Sequence, residues 1–482
     1  MHNGYRGVAL PGGDGQHLSA RHTASPDMCQ GQTRAGAGCI DSPKSALLSL
    51  KSRGSAPHVR AAADSGPEHW KGTMSFTAGA AKTDITPRRD GLWLAGHARK
   101  RKSKGVRDPL CCRALYLSDG ATEIALSCLD LTGLRKFHVD QIRARLTHCI
   151  DPSRVIVCTT HTHDAPDTIG YFGPMIFGRI PYRCGIDPEY MELVQTRTKE
   201  CIEEARRRAV PVELFAACGE APAGLTRNIR REGFKEDTVF VLHVKDERDE
   251  TVAVLSNYPC HPEMLGHDSR VVSAEFLTDL HETVESRWGG VSVFFQQALG
   301  GMVTGAVCRD DGSFDPARGE PFIRTLGRSL GAVITEALER SPYRIPDGTP
   351  LVYKRREFRA PIMNRKFLLV GRMGVLPGIE EEILTRTLTT ETALIDLGAV
   401  KMATVPGEAL PEVGFQIQAV LNCRFPFVVC LASDELGYIL PRRYARSRQY
   451  AYERSMSVGP ELTDRLLENI RHMVWKGSSE AA

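Results

Sequence analysis

From Phe76 onward, short apolar runs alternate along the chain with longer stretches in which apolar residues recur every three to four positions. The first pattern is typical of buried strands and the second of amphipathic helices. Their alternation predicts a layered α/β or α+β domain without internal repeats. The predicted strands are Glu123–Leu129, Arg154–Cys158, Thr238–Val244, Thr251–Asn257, Ser292–Phe295, Leu351–Phe358, Ala393–Thr404 and Phe427–Leu431. The predicted helices are Phe137–Cys149, Tyr190–Arg208, Phe276–Trp288, Phe322–Ser341, Pro411–Leu421 and Pro460–Val474.

Residues 1–73 lack this periodicity and are rich in Gly, Ser, Ala, His and Pro. This composition predicts a disordered N-terminal extension, because too little apolar surface is available to build a core. The folded domain is therefore expected to span residues 74–482, and Met74 is a candidate for the true start of translation. The N-terminus also lacks the apolar core of a secretory signal peptide.

Composition excludes several classes of function. The 482 residues are 42% hydrophobic and 25% charged, with a net charge of +4, as in ordinary globular proteins. No arginine-rich stripe alternates with aromatic residues, so nucleic-acid binding is not indicated. No apolar stretch is long enough to cross a bilayer. The 14 cysteines are scattered without a CxxC spacing, which predicts reduced thiols and a cytoplasmic location.

The first chemical signal lies where the β-branched run Val155–Cys158 passes into the sequence His161-Thr-His163-Asp164. On a strand the side-chain period is two, so His161 and His163 are expected to point to the same face. Two imidazoles that converge after a buried strand suit either a metal ion or proton transfer. A chance pairing of histidines is the alternative.

Three further loops after predicted strands carry reactive side chains. His261 lies between two prolines, Glu408 follows a Pro-Gly pair, and Tyr438 lies in a polar loop. Each has an ordinary structural alternative: a turn histidine, a helix N-terminal charge and a loop aromatic, respectively. Taken together, two histidines and a carboxylate from separate strand ends are what a catalytic zinc site uses. Arg230 is a candidate donor for a developing oxyanion, or else a surface charge.

In this order, the motifs resemble those of the neutral (non-lysosomal) ceramidase family. The resemblance extends over most of residues 76–460. The matching segments are Ala78–Pro87, Gly105–Leu110, Thr160–Pro166, Asn257–Pro262, Val405–Glu408 and the stretch from Gly437 to Glu453.

The resemblance implies a catalytic domain in which two packed β-sheets are flanked by helices, an αββα arrangement. It also implies one zinc ion and a metal-activated water that hydrolyses the amide of ceramide. The implied metal ligands are His161, His261, Glu408 and Tyr438. His163 would transfer the proton, and Arg230 and Tyr452 would hold or polarise the scissile carbonyl. Which of His161 and His163 is the ligand stays open at this point, and manganese or iron are alternatives to zinc.

The chain also departs from the family pattern. Gly301 and Val303 stand where the family has Asp and Ser, and Asp164 stands where it usually has Ser. The family's C-terminal immunoglobulin-like domain is expected to be absent. These departures favour a zinc-dependent amidohydrolase with a small-molecule or lipid-like amide substrate other than classical ceramide. The alternatives are a ceramidase proper and a non-catalytic ligand-binding descendant.

Overall fold

A computed structural model describes residues 76–97, 101–176, 180–307 and 316–478, which belong to one compact unit. The predicted extension over residues 1–73 and the proposed start at Met74 lie outside the described residues. The strands are β1 (Phe76–Asp84), β2 (Cys111–Ser118), β3 (Glu123–Leu129), β4 (Val155–Thr159), β5 (Met175–Ile176), β6 (Ile180–Pro181), β7 (Val210–Glu220), β8 (Thr226–Asn228), β9 (Thr238–Asp246), β10 (Thr251–Tyr258), β11 (Val291–Gln296), β12 (Val303–Gly305), β13 (Tyr343–Arg344), β14 (Val352–Pro361), β15 (Thr387–Leu397), β16 (Val400–Thr404), β17 (Glu408–Ala409), β18 (Phe425–Val429) and β19 (Tyr438–Ile439).

The helices follow the amphipathic stretches. They are α1 (Lys136–Ala144), α2 (Pro188–Arg207), α3 (Phe276–Trp288), α4 (Pro316–Arg340), α5 (Arg365–Arg372), α6 (Glu380–Thr385), α7 (Pro411–Leu421), α8 (Ala451–Ser455) and α9 (Glu461–Ser478). None of the described helices is both long enough and apolar enough to cross a membrane.

The larger sheet has the order β11-β10-β9-β7-β1-β2-β3-β4, and β13 pairs with β7 outside this path. Most neighbours are antiparallel, but β10 with β11 and β3 with β4 are parallel. The smaller sheet has the order β14-β15-β16-β18. Short ladders join β17 to β19 and β12 to β8.

Two sheets and two sets of helices form four layers. Along β9, Val241 faces the helices of the first outer layer and the next residue, Leu242, faces the second sheet, as the period of a strand requires. The core between the sheets joins residues of both, such as Phe295 and Phe427. Helices α2, α3 and α4 cover the larger sheet, and α7 and α9 cover the smaller one. The αββα arrangement implied by the sequence is confirmed.

One predicted element is wrong. The stretch Ala393–Thr404 was expected to be a single strand, but it contains the end of β15, a turn and all of β16. Gly398 lies in the turn with φ +73°, and its amide donates to Asp396 Oδ1 at 2.8 Å. The apolar run continues through the turn because both strands are buried, so the pattern conceals the reversal.

Candidate metal centre

His161 lies two residues beyond β4, and its backbone has φ +67°. This left-handed conformation is rare for a residue with a Cβ, and it occurs mostly where function constrains the chain. The strand period therefore does not orient the two histidines, since the strand ends at Thr159. The turn at His161 nevertheless brings the rings of His161 and His163 to a centroid distance of 5.0 Å.

The His161 ring is held by a backbone carbonyl. Its Nδ1 lies 2.6 Å from the carbonyl oxygen of Thr132, so Nδ1 carries the proton and donates it. Its Nε2 lies 3.4 Å from Glu408 Oε2. Fixing one ring nitrogen in this way is how proteins prepare the other nitrogen to bind a metal.

His261 is held in the same manner after β10. Its amide and its Nδ1 both donate to the carbonyl oxygen of Val303, at 2.9 and 3.0 Å. Its Nε2 lies 3.0 Å from Glu408 Oε2. The ring is fully buried. Val303 thus orients the histidine through its backbone, whatever its side chain.

Glu408 is the point on which the two imidazoles converge. It lies in β17, whose parallel pairing with β19 sets it opposite Tyr438. Burial disfavours the charged carboxylate, but His161 and His261 outweigh this effect and lower the pKa of Glu408 to about 2. Burial likewise opposes protonation of His261, yet the hydrogen bond to Glu408 raises its pKa to about 8.

Tyr438 is buried beside Glu408. Burial, reinforced by the charge of Glu408, raises the pKa of its phenol well above the ordinary value. Its hydroxyl donates to Met302 Sδ at 3.3 Å. The structure therefore brings His161, His261, Glu408 and Tyr438 to one place.

His163 lies next to this group and differs from His161. It is buried, and its Nδ1 makes no hydrogen bond with the described residues. Burial, together with the neighbouring His97, His161 and His261, lowers its pKa well below the ordinary value. The surroundings of the ring therefore favour its neutral form.

Tyr452 and Arg230 differ in their position relative to the cavity. Tyr452 lies on α8, is 44% exposed, lines the cavity, and has its ring centroid 5.9 Å from that of Tyr438. Arg230 is not among the described residues that line the cavity. Its Nε donates instead to the buried carboxylate of Glu453, the residue after Tyr452. Arg230 therefore contacts the helix that carries Tyr452.

A cavity of about 170 Å³ opens over the site. Its walls are largely apolar and include an α5 segment with Lys366 and Phe367. Polar side chains of the centre lie together at one part of the lining. The lining includes His97, His161, His163, Glu263, Glu408, Tyr438, Tyr452, Ile169, Phe172 and Val370.

Asp164, the departure beside the histidine pair, belongs to an internal ion pair. Its Oδ1 accepts from Arg101 at 2.9 Å, and both side chains are buried. Arg101 also donates to the carbonyl oxygen of His163. The pair fixes the loop behind the histidines.

Gln296, which the sequence patterns did not single out, joins the two histidine loops. Its side-chain amide donates to the carbonyl oxygens of Thr160 at 2.7 Å and Cys260 at 2.6 Å. Each of these residues precedes a histidine of the centre. Because Gln296 ends β11 and Thr160 follows β4, this contact also shows that the larger sheet curls until its two ends approach. The only sequence signal is a polar residue at the end of an apolar strand.

A Gln296→Leu variant is expected to bind its metal about 10–100-fold more weakly, because groups that orient metal ligands have effects of this size. Zinc affinity measured by competition with a chelator tests this. The neighbouring Gln297 is equally buried, and its Nε2 makes no hydrogen bond with the described residues. Gln297→Leu is therefore the matched control and should keep the affinity. Equal affinities in both variants would count against the positioning role.

The donor set fits a divalent transition metal. Two imidazole Nε2 atoms and one carboxylate oxygen face each other in a buried space, and nitrogen with oxygen ligands suits zinc. One ring nitrogen from each of His161, His163 and His261 lies within 4.8 Å of the corresponding nitrogens of the other two.

Two solved structures share this fold. The crystal structure of neutral ceramidase from Pseudomonas aeruginosa matches with a TM-score of 0.68 and 16% identity, over 83% of this chain and 74% of that chain. A structure of ceramidase complexed with C2 matches with a TM-score of 0.67 and 16% identity, over 83% and 75%. No protein-family model and no curated protein matches the chain. The comparison confirms, at the level of the fold, the resemblance to a divergent neutral ceramidase.

Proposed function

We propose that the chain is a metal-dependent hydrolase that cleaves an amide bond, with one zinc ion held by His161, His261, Glu408 and Tyr438. The observation that carries the proposal is the convergence of His161 Nε2 and His261 Nε2 on one oxygen of Glu408, at 3.4 and 3.0 Å. Both rings have Nδ1 bonded to a carbonyl, which leaves Nε2 available. When bound, zinc lowers the pKa of a water molecule and polarises a carbonyl.

The side chains around the centre have separate roles in this proposal. His163 is neutral and buried beside His161, so it accepts the proton of the attacking water and returns it to the leaving amine. Tyr452 lines the cavity, and its hydroxyl donates to the substrate carbonyl oxygen. Arg230 was expected to act there too, but its bond to Glu453 favours a role in fixing α8.

The shape of the cavity supports a substrate with an acyl chain. Ile169, Phe172 and Val370 contribute apolar surface to the wall, and the polar centre lies at one part of it. Such a site takes an amide with an apolar substituent. The buried thiols of Cys112, Cys128 and Cys158 support a cytoplasmic location.

Ceramide itself is the second candidate, because the neutral ceramidase from Pseudomonas aeruginosa and the ceramidase complexed with C2 share the fold. Val303 argues against a nucleophilic side chain in this loop, yet its carbonyl still holds His261. A panel of fluorescent amides, with short-chain ceramide as one member, separates the two substrate classes. A protein that binds metal and hydrolyses none of them would be a ligand-binding descendant.

Replacing each histidine of the pair separates ligand from proton carrier. His163→Ala is expected to keep its zinc and lose about 10²–10⁴-fold in kcat, the usual contribution of a general acid-base. His161→Ala is expected to lose the zinc as well. Metal content and kcat measured on the same preparations test both expectations. Loss of zinc from His163→Ala alone would reverse the assignment.

A further inference from the structure

A second group of possible ligands adjoins the centre on its far side. His97, His163 and Glu263 each offer a ligand atom, and these atoms lie within 4.8 Å of one another. They come from three separate segments: the loop after β1, the loop after β4 and the loop after β10. The rings of His97 and His163 meet edge to face with centroids 4.8 Å apart.

His163 and Glu263 are close but not hydrogen-bonded to each other. His163 Nδ1 lies 3.6 Å from Glu263 Oε2, beyond hydrogen-bonding distance, and makes no hydrogen bond with the described residues. Both side chains are buried. A buried nitrogen without a hydrogen bond is unfavourable unless a ligand satisfies it.

The loop that carries His97 is packed to bring it there. Gly96 has φ +90°, and a Cβ at this position would overlap the ring of His163. Glycine therefore lets the backbone before His97 lie directly against His163. The approach of the two histidines follows from the packing of the backbone as well as from their rotamers.

We propose that His97, His163 and Glu263 form a second divalent-metal site. Two imidazoles and a carboxylate with an open position are a ligand set that zinc accepts. His97 and Glu263 line the cavity, so the ion has a path from solvent. His163 also lies within reach of His161 and His261, which makes it the side chain common to both groups.

Filling this second site inhibits hydrolysis, a consequence that rests on the function proposed above. His163 cannot accept a proton while its ring nitrogen binds a metal. Zinc in excess over the first equivalent is therefore expected to lower kcat, and the decrease should follow the binding of the second ion.

Equilibrium dialysis of the purified protein against rising Zn²⁺, with bound zinc measured by mass spectrometry, tests the site directly. The wild-type protein is expected to bind a second zinc ion per chain. His97→Ala and Glu263→Gln should each weaken the second ion at least about 10-fold and keep the first. Glu263→Gln preserves side-chain shape, so it remains informative if His97→Ala disturbs its loop.

A surface group provides the matched control. His148, Cys149 and Glu203 also cluster, and His148 Nε2 is already paired with Glu203 at 2.7 Å. His148→Ala should keep the second ion. The proposal is overturned if the wild-type protein saturates at one zinc, or if His148→Ala removes the second.

The kinetic consequence is measured separately. Zinc should inhibit the wild-type enzyme over the range in which the second ion binds, and Glu263→Gln should resist it. Binding without inhibition would overturn the consequence. Binding of two zinc ions per chain without any amide hydrolysis would support the second site and refute the proposed function. Amide hydrolysis with only one zinc ion bound per chain would support the proposed function and refute the second site.

Discussion

A Glu408→Gln variant is expected to lose its zinc and at least about 10³-fold in kcat/KM, equivalent to about 4 kcal/mol of transition-state stabilisation. Glu408 Oε2 is the atom on which both Nε2 atoms converge, and the carboxylate is ionised. Glutamine keeps the shape but removes the charge that a buried cation requires. Metal content and amide hydrolysis on the same preparation measure the effect.

Glu412→Gln is the matched control for this experiment. Glu412 is also buried, but its Oε1 accepts from the Tyr444 hydroxyl at 2.7 Å, and it does not line the cavity. The control is expected to keep its zinc and its activity. Full zinc content in Glu408→Gln would refute the assigned ligand set.

The second large effect concerns stability. Glu391 in β15 is 2% exposed and binds the guanidinium of Arg143 in α1 through both oxygens, at 2.6 and 2.9 Å. Arg355 in β14 shares the same carboxylate. Glu391→Gln removes the one buried carboxylate from the two guanidinium groups and leaves them only half-exposed partners, so we expect the free energy of unfolding to fall by about 3–5 kcal/mol. Urea unfolding at pH 7 measures the difference.

The pH dependence has a definite sign. Burial disfavours ionisation of Glu391, but the two arginines outweigh it and lower its pKa from 4.5 to about 2. The folded pKa is depressed, so the contribution is complete above about pH 4.5 and disappears as pH falls towards 2. The difference in the free energy of unfolding between wild type and Glu391→Gln should shrink over that window.

Glu357→Gln, at a half-exposed partner of Arg355, should lower the free energy of unfolding by under about 1 kcal/mol. Equal losses in both variants would contradict the account.

The predictability of the fold depended on how clearly each element was bounded. Helix α3 was predicted with the bounds Phe276–Trp288 that the structure has, because an apolar stripe ends at a Gly-Gly pair. Strand β7 was not predicted, since Val210–Glu220 mixes exposed and buried positions irregularly. The reversal between β15 and β16 was missed because buried residues lie on both sides of the turn.

The residues of the candidate site were also predictable only in part. The positions of His161, His261 and Glu408 after strands suggested that they could meet, and the structure brings them together. Gln296 acts on carbonyls 136 and 36 residues away, so its contacts exist only once the sheet has curled. Glu263 and His97 became visible only when their loops were placed against His163. Contacts between residues so far apart in the sequence cannot be predicted from local sequence patterns.

We propose that His161, His261 and Glu408 hold a catalytic metal. Anomalous diffraction at the zinc edge from crystals of the zinc-loaded protein tests it most directly. We predict a peak about 2.0–2.2 Å from His161 Nε2, His261 Nε2 and a Glu408 oxygen. A zinc-loaded crystal whose anomalous peaks all lie away from these three atoms would contradict the account.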